Sequence, residues 1–322
     1  MLALDGITVI ALEHAIAAPF CTRQLADLGA RVIKIERPKV GDFARNYDER
    51  VHGISSHFVW TNRSKESLTL DLKQEQSKEI LYKLIAKADI LVQNLAPGAA
   101  SRLGFSYEDL VKINPKIIVC DISGYGDDAQ FPGPYRDKKA YDLLIQSESG
   151  FLSITGTDEH AVKAGCSIAD ISAGMYAYSN ILAALIERSK TGVGKRIDVS
   201  MFESMTEWMG YPLYYTLNGG AAPPRTGSAH ATIFPYGLFP TGDHKQIMLG
   251  IQNDREWQAF CDIVLESPHL THDSLFCTNS LRSKNRDVLR AIIEKKFQQW
   301  DQINILERLE QAKIANARAN EI

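Results

Sequence analysis

The sequence predicts an α/β fold built on a mainly parallel sheet. Three features of residues 1–200 point there: short β-branched runs, helical spacing between them, and regular alternation of the two. Strands that run the same way need right-handed crossovers. In such sheets ligands collect at the carboxyl ends of the strands.

The run ITVIAL (7–12) reads as a buried strand, and PFCTRQLADLG (19–29) as a helix that stops at Gly29. RVIKIER (31–37) is a second strand. QEQSKEILYKLIAKA (74–88) is an amphipathic helix, with Ile80, Leu81, Leu84, Ile85 and Ala88 at helical intervals. DILVQNL (89–95) is a strand, SYEDLVKI (106–113) a short helix with a Ser cap, and KIIVCDIS (116–123) a further strand. A long helix over 171–188 leads through a Gly turn to RIDVSM, another strand. The composition then turns rich in Gly and Pro over 219–245. Beyond it come a strand (247–252) and helices over 255–265, 282–300 and 301–314. The domains expected are a large one over 1–215, a linker over 216–245 and a small α/β one over 246–322.

Composition removes several functions. A net charge of −3 argues against a general nucleic-acid binder. No apolar run reaches the ~18 residues of a membrane span. The N-terminus lacks a basic region and carries Asp5, Glu13 and His14 among its apolar residues, unlike a signal peptide. Five scattered cysteines with no C-x-x-C suggest neither a zinc site nor a disulfide framework, so the cytosol is the expected compartment. No G-x-G-x-x-G or P-loop occurs. The basic clusters at 31–39 and 134–142 read, on charge pattern alone, as solvated faces.

One carboxylate stands out. In AGCSIADISAGMYAYSNILAALIER (164–188), Asp170 sits among small and apolar residues at the head of a helix. SIAD (167–170) fits a Ser-x-x-Asp cap, so local sequence alone makes Asp170 a helix-start residue.

Several segments in fixed order resemble the class III CoA-transferases, a superfamily that also holds acyl-CoA racemases. They are LDGITVIAL, LGARVIKIERP, NRSKESLTLDLK, VQNLAPGAASRLGF, IIVCDISGYG, AYDLLIQSESGFLSITG, GCSIADISAGMYAYSNILAALIERSKTGVGKRIDVSM and FPTGD. The resemblance implies a Rossmann-like large domain, a smaller α/β domain and an interlocked homodimer. It also implies a C-terminal segment, beyond residue 322, that returns to the large domain.

By the same resemblance Asp170 is a nucleophile that forms covalent acyl and CoA intermediates. Small neighbours would leave room for a thioester, and the helix N-terminus would keep the carboxylate ionised. The positions matching the family's coenzyme A site are His14, Ile16, Ala17, Arg37, Leu70, Lys73, Asn94, Arg102 and Lys139. Coenzyme A is expected as a substrate, with no permanently bound cofactor and no metal. Tyr141 and Asp142 are expected beside the nucleophile. Racemases of the superfamily place a His where Tyr141 stands, and a Tyr is a poor base near neutral pH. The resemblance therefore favours a transferase. A racemase, or a CoA-binding chain without activity, is the alternative. The expected acceptor is a small dicarboxylate such as mesaconate, itaconate or citramalate, with succinyl-CoA as donor. Arg225 and His230 are candidates for holding its distal carboxylate, although a turn arginine and a structural histidine would look the same. The glycine-rich active-site loop of the formyl-CoA branch has no counterpart, and GIQNDREW (250–257) stands in that region.

Overall fold

The computed structural model describes every residue except Ala129. The chain forms two compact units, one of residues 1–153 and 163–220, the other of residues 154–162 and 221–322.

The first unit holds a six-stranded parallel sheet in the order β3-β2-β1-β4-β5-β6. Its strands are β1 (Thr8–Leu12), β2 (Arg31–Glu36), β3 (Lys65–Thr69), β4 (Ile90–Gln93), β5 (Ile118–Ser123) and β6 (Arg196–Ser200). This is the doubly wound order, and its direction reverses between β1 and β4. The central strands are buried along almost their whole length, which is why they read as continuous apolar runs. Edge strand β3, KESLT, has no fully buried residue, and its sequence carries no strand pattern.

Helix Ala17–Asp27 ends as the sequence suggests. Gly29 has φ +101°, its N–H donates to Ala26, and the Ala30 N–H donates to Leu25. The long helix Ile168–Thr191 packs on helix Ala17–Asp27 through buried Ala169, Ala173 and Ala177. A Cβ on Gly174 would come within 2.7 Å of the Ala17 carbonyl oxygen. The small residues after Asp170 therefore have a packing reason: two helix backbones approach closely there.

The second unit contains a three-stranded antiparallel sheet, β7 (Tyr236–Pro240), β8 (Gln246–Gly250) and β9 (Ala315–Arg318), in that order. Its core gathers Phe234, Phe239, Trp257, Phe260, Leu289, Ile293 and Phe297. The expected linker over 216–245 is corrected here. Strand β7 lies inside it, and residues from 221 onward already belong to the second unit. Residues 154–162 also belong to this unit, where the Gly156 carbonyl accepts from the Gly227 N–H.

Candidate active site

Asp170 lies in the first turn of the long helix and is half-buried. The expected local cap does not form: Ser167 makes no side-chain capping bond. Asp142, which begins helix Asp142–Glu148, caps the helix from outside. Its Oδ1 accepts from the Ala169 N–H at 2.8 Å and from the Asp170 N–H at 3.4 Å. The Asp142 Oδ2 accepts from Gln146 Nε2 at 2.7 Å, and Gln146 Oε1 accepts from the Ala164 N–H at 3.0 Å. Gln146 is fully buried.

This arrangement changes the expected electrostatics. The free N–H groups of a helix start favour a nearby anion. Here Asp142 takes them. No hydrogen bond reaches the Asp170 carboxylate among the described residues, and burial together with the Asp142 charge raises its pKa to about 7. The helix start thus supports Asp142 directly, while Asp170 remains a basic, unpaired carboxylate.

Tyr141 is 63% exposed, immediately before Asp142. Tyr47 interacts electrostatically with Asp170, Asp42 and Tyr141, and burial followed by these charges raises its phenol to about 12.

At the sheet's reversal point Asn94 ties the segment after β4 to the loop after β1. Its Oδ1 accepts from the His14 N–H at 2.9 Å, and its Nδ2 donates to the His14 carbonyl at 2.8 Å. The amide of Asn94 is thereby committed to the loop after β1. The His14 ring stacks on Phe43, and its buried Nδ1 lies 3.8 Å from Asp42 Oδ1. Ile16, Ala17 and Leu70 are buried residues, 3%, 2% and 8% exposed.

Arg37, Lys73, Arg102 and Lys139 are exposed, and their side chains make no hydrogen bond or ion pair among the described residues. Arg37 follows the end of β2, and the Arg102 guanidinium lies against the Gly98 turn after β4. Lys73 shortly follows β3, whereas Lys139 lies just before helix Asp142–Glu148. Solvated basic faces do not describe the whole of 31–39, because Lys34 and Glu36 are 2% and 1% exposed.

Those two belong to a buried ion network that the sequence reading did not single out. Lys34 Nζ donates to Asp42 Oδ2 at 2.6 Å and to Asn62 Oδ1 at 2.7 Å. Lys65 Nζ donates to Glu13 Oε1 at 2.7 Å, and Thr22 Oγ1 donates to Glu13 Oε2. Arg45 pairs with Glu36 through two hydrogen bonds, and Ser67 adds a third. Burial pushes Glu36 up, but Arg45, Ser67 and the Asp42 N–H outweigh it and bring its pKa to about 2. Asp42 also accepts from the Ala15 N–H at 3.1 Å, tying the network to the loop that carries His14. The signal available in sequence was a charge at every second position of KIE inside an otherwise apolar strand.

Arg225 and His230 lie in the second unit. The Arg225 guanidinium donates to the carbonyls of Thr157 and Asp158 at 2.7 and 2.8 Å. The His230 Nδ1 accepts from the Ile233 N–H at 3.1 Å and the Thr232 N–H at 3.2 Å, while the ring stacks on Tyr236. Both side chains hold turns.

Fold and site together define a doubly wound α/β protein, lacking a nucleotide fingerprint, with a half-buried, unpaired carboxylate at the head of a long helix. The chain matches the family model for CoA-transferase family III over residues 4–322, and it belongs to that family of enzymes. It is 39% identical over 293 residues to acetyl-CoA:oxalate CoA-transferase of Acetobacter aceti, covering 90% of this chain and 74% of that one. To succinyl-CoA:glutarate CoA-transferase of Homo sapiens it is 36% identical, covering 92% of this chain and 66% of the relative. To succinyl-CoA:mesaconate CoA-transferase of Haloarcula marismortui it is 33% identical, covering 96% and 78%. The chain thus spans about two thirds to four fifths of the length of these curated relatives. A solved CAIB/BAIF family protein from Brucella suis superposes with a TM-score of 0.87 at 33% identity, covering 99% of this chain and 84% of that one.

Proposed function

We propose that the protein moves coenzyme A from an acyl-CoA donor to a small carboxylic acid through covalent intermediates on Asp170. The observation that carries this reading is the half-buried carboxylate of Asp170, unpaired, with its pKa raised to about 7. Such a group is basic enough to attack a carbonyl and is ionised in useful amount at neutral pH.

The steps balance without a further reactant. The Asp170 carboxylate attacks the thioester carbonyl, the C–S bond breaks, and a mixed anhydride and a CoA thiolate result. The thiolate attacks the aspartyl carbonyl of the anhydride, releasing the donor acid and leaving an aspartyl-CoA thioester. The acceptor carboxylate attacks that thioester and again expels the thiolate. The thiolate then takes the acceptor acyl group and frees Asp170.

The unpaired cations Arg37, Lys73, Arg102 and Lys139 suit the phosphates of coenzyme A. The acceptor is a short dicarboxylate and the donor succinyl-CoA, a reading supported by the relatives, whose names give oxalate, glutarate and mesaconate. The protein works as a homodimer, a reading favoured by exposed Tyr211, Leu213 and Tyr214 on helix Gly210–Thr216. It works in the cytosol, in keeping with five free cysteines.

The test is trapping. Protein incubated with succinyl-CoA and then hydroxylamine should carry a modification on the peptide containing Asp170, and D170A should carry none. Equal modification of D170A, or coenzyme A transfer by it at the wild-type rate, would sink the reading.

A further inference from the structure

Gln146 is a fully buried side chain that reaches both ends of the loop feeding the nucleophile. Its Oε1 accepts from the Ala164 N–H at 3.0 Å, six residues before Asp170. Its Nε2 donates at 2.7 Å to Asp142 Oδ2, one turn back on its own helix. The other oxygen of Asp142 accepts from the Ala169 and Asp170 N–H groups. One amide therefore joins the start of the 164–167 loop to its end, through a single carboxylate.

We infer that Gln146 is a positioning residue for the transfer reaction, fixing the orientation and the negative charge of Asp142 against the nucleophile Asp170. The inference rests on the proposed role of Asp170.

The chemistry supports a directional role. A buried amide offers one acceptor and two donors. With its oxygen held by the Ala164 N–H, the nitrogen must face Asp142. A donor at that point holds the Asp142 carboxylate in its place at the helix start. An ionised Asp142 both accepts the two helix N–H groups and sets a negative charge beside Asp170. Asp142 is the charge that acts on Asp170, from helix Asp142–Glu148. Tyr47, from the loop after Phe43–Asn46, is the other titratable group in electrostatic contact with it. The helices and strands otherwise packed on the long helix, Ala17–Asp27, Met201–Trp208, β5 and β6, bring no cation that offsets the Asp142 charge. Loss of the donor frees the Asp142 carboxylate to turn away from the helix start, so its charge raises Asp170 less.

The experiment measures the rate of Asp170 adduct formation with succinyl-CoA from pH 5.5 to 9 in the wild-type protein, Q146L and Q146E. Q146L loses the donor, so its ascending limb should move to lower pH, raising the ratio of the rate at pH 6 to that at pH 9 about threefold to tenfold. Q146E keeps the shape of the side chain but adds a third carboxylate, so its limb should move to higher pH, opposite to that of Q146L. A purely structural role predicts loss that is uniform with pH, and better tolerance of Q146E than of Q146L. Either of those results overturns the inference. Should Q146L fail to fold, the isosteric Q146E carries the test alone. Absence of any adduct in the wild-type protein refutes the role of Asp170, and the inference falls with it. An adduct with unshifted limbs refutes Gln146 only.

Discussion

Asp142 accepts the N–H groups of both Ala169 and Asp170, so the helix that carries Asp170 is capped by a side chain from another helix. The carboxylate with the favourable helix contact is not the one without partners. The unpaired acid, Asp170, is the one raised to about 7, the range in which active sites obtain a base near neutrality.

The first prediction follows from that pair. Asp170 titrates near 7 because of burial and then the charge of Asp142. D142N keeps an oxygen for the helix N–H groups and removes the charge. The ascending pH limb of adduct formation should therefore move to lower pH, and activity at pH 6 relative to pH 8 should rise. A limb that stays where it was would show that the two carboxylates are not coupled.

The second concerns stability. The folded-state pKa of Asp170, about 7, lies above its ordinary value of 3.8. The folded state therefore holds the proton more tightly than the unfolded chain. Its contribution is fully present below about pH 4 and is lost as pH rises through 7. At pH 8 the wild-type protein bears an unpaired carboxylate at a cost of up to about 4 kcal/mol. D170N removes that charge without changing shape. Denaturant unfolding should show D170N to be more stable than wild type at pH 8, with the difference shrinking toward pH 5. Equal stability at both values would contradict the burial of the charge.

Much of this architecture was readable in advance, and the exceptions have physical causes. Strands β1, β2, β4 and β5 bury both faces, so TVIAL and IVCDIS announce themselves, whereas β3 lies at the edge and KESLT does not. Strand β7 was hidden in a Gly- and Pro-rich stretch because YGLFP pairs with β8 through backbone bonds that no composition reveals. Asp170 was singled out by resemblance. Its cap was not, since Asp142 is 28 residues away and local pattern pointed to Ser167. The ion network was missed for a similar reason. Lys34 and Glu13 are distant in sequence, and charge pattern cannot tell a buried lysine from a solvated one.

The third prediction tests that network. Lys34 is 2% exposed and bonds to Asp42, which is fully buried. Burial alone would raise the pKa of Asp42, but the nearby His14 ring and the Lys34 ammonium hold it well below the usual carboxylate range. K34M would leave Asp42 charged and uncompensated, a loss on the order of 3–5 kcal/mol. A depressed folded-state pKa gives stability that is present above the unfolded value and lost as pH falls through the folded one. The deficit of K34M, read by denaturant unfolding, should therefore be largest near pH 7 and smaller toward pH 3. A deficit independent of pH would mean that Lys34 contributes packing rather than charge.

The last prediction addresses the exposed cations. Arg102 ends a short helix after β4, and Lys139 precedes the helix of Asp142; neither side chain has a partner among the described residues. Removing a cation that meets a phosphate should weaken binding of the coenzyme in ground and transition state alike, raising KM while leaving kcat nearly unchanged. R102A and K139A should each raise the KM for succinyl-CoA about five- to fiftyfold, the effect of one or two charge-assisted hydrogen bonds. KM for the acceptor acid should stay within about twofold, since the acceptor carries no phosphate. The loss should also shrink as salt rises, because screening already weakens the wild-type contact. A fall in kcat with KM unchanged would instead place these residues at the reacting carbonyl, away from the coenzyme's phosphates.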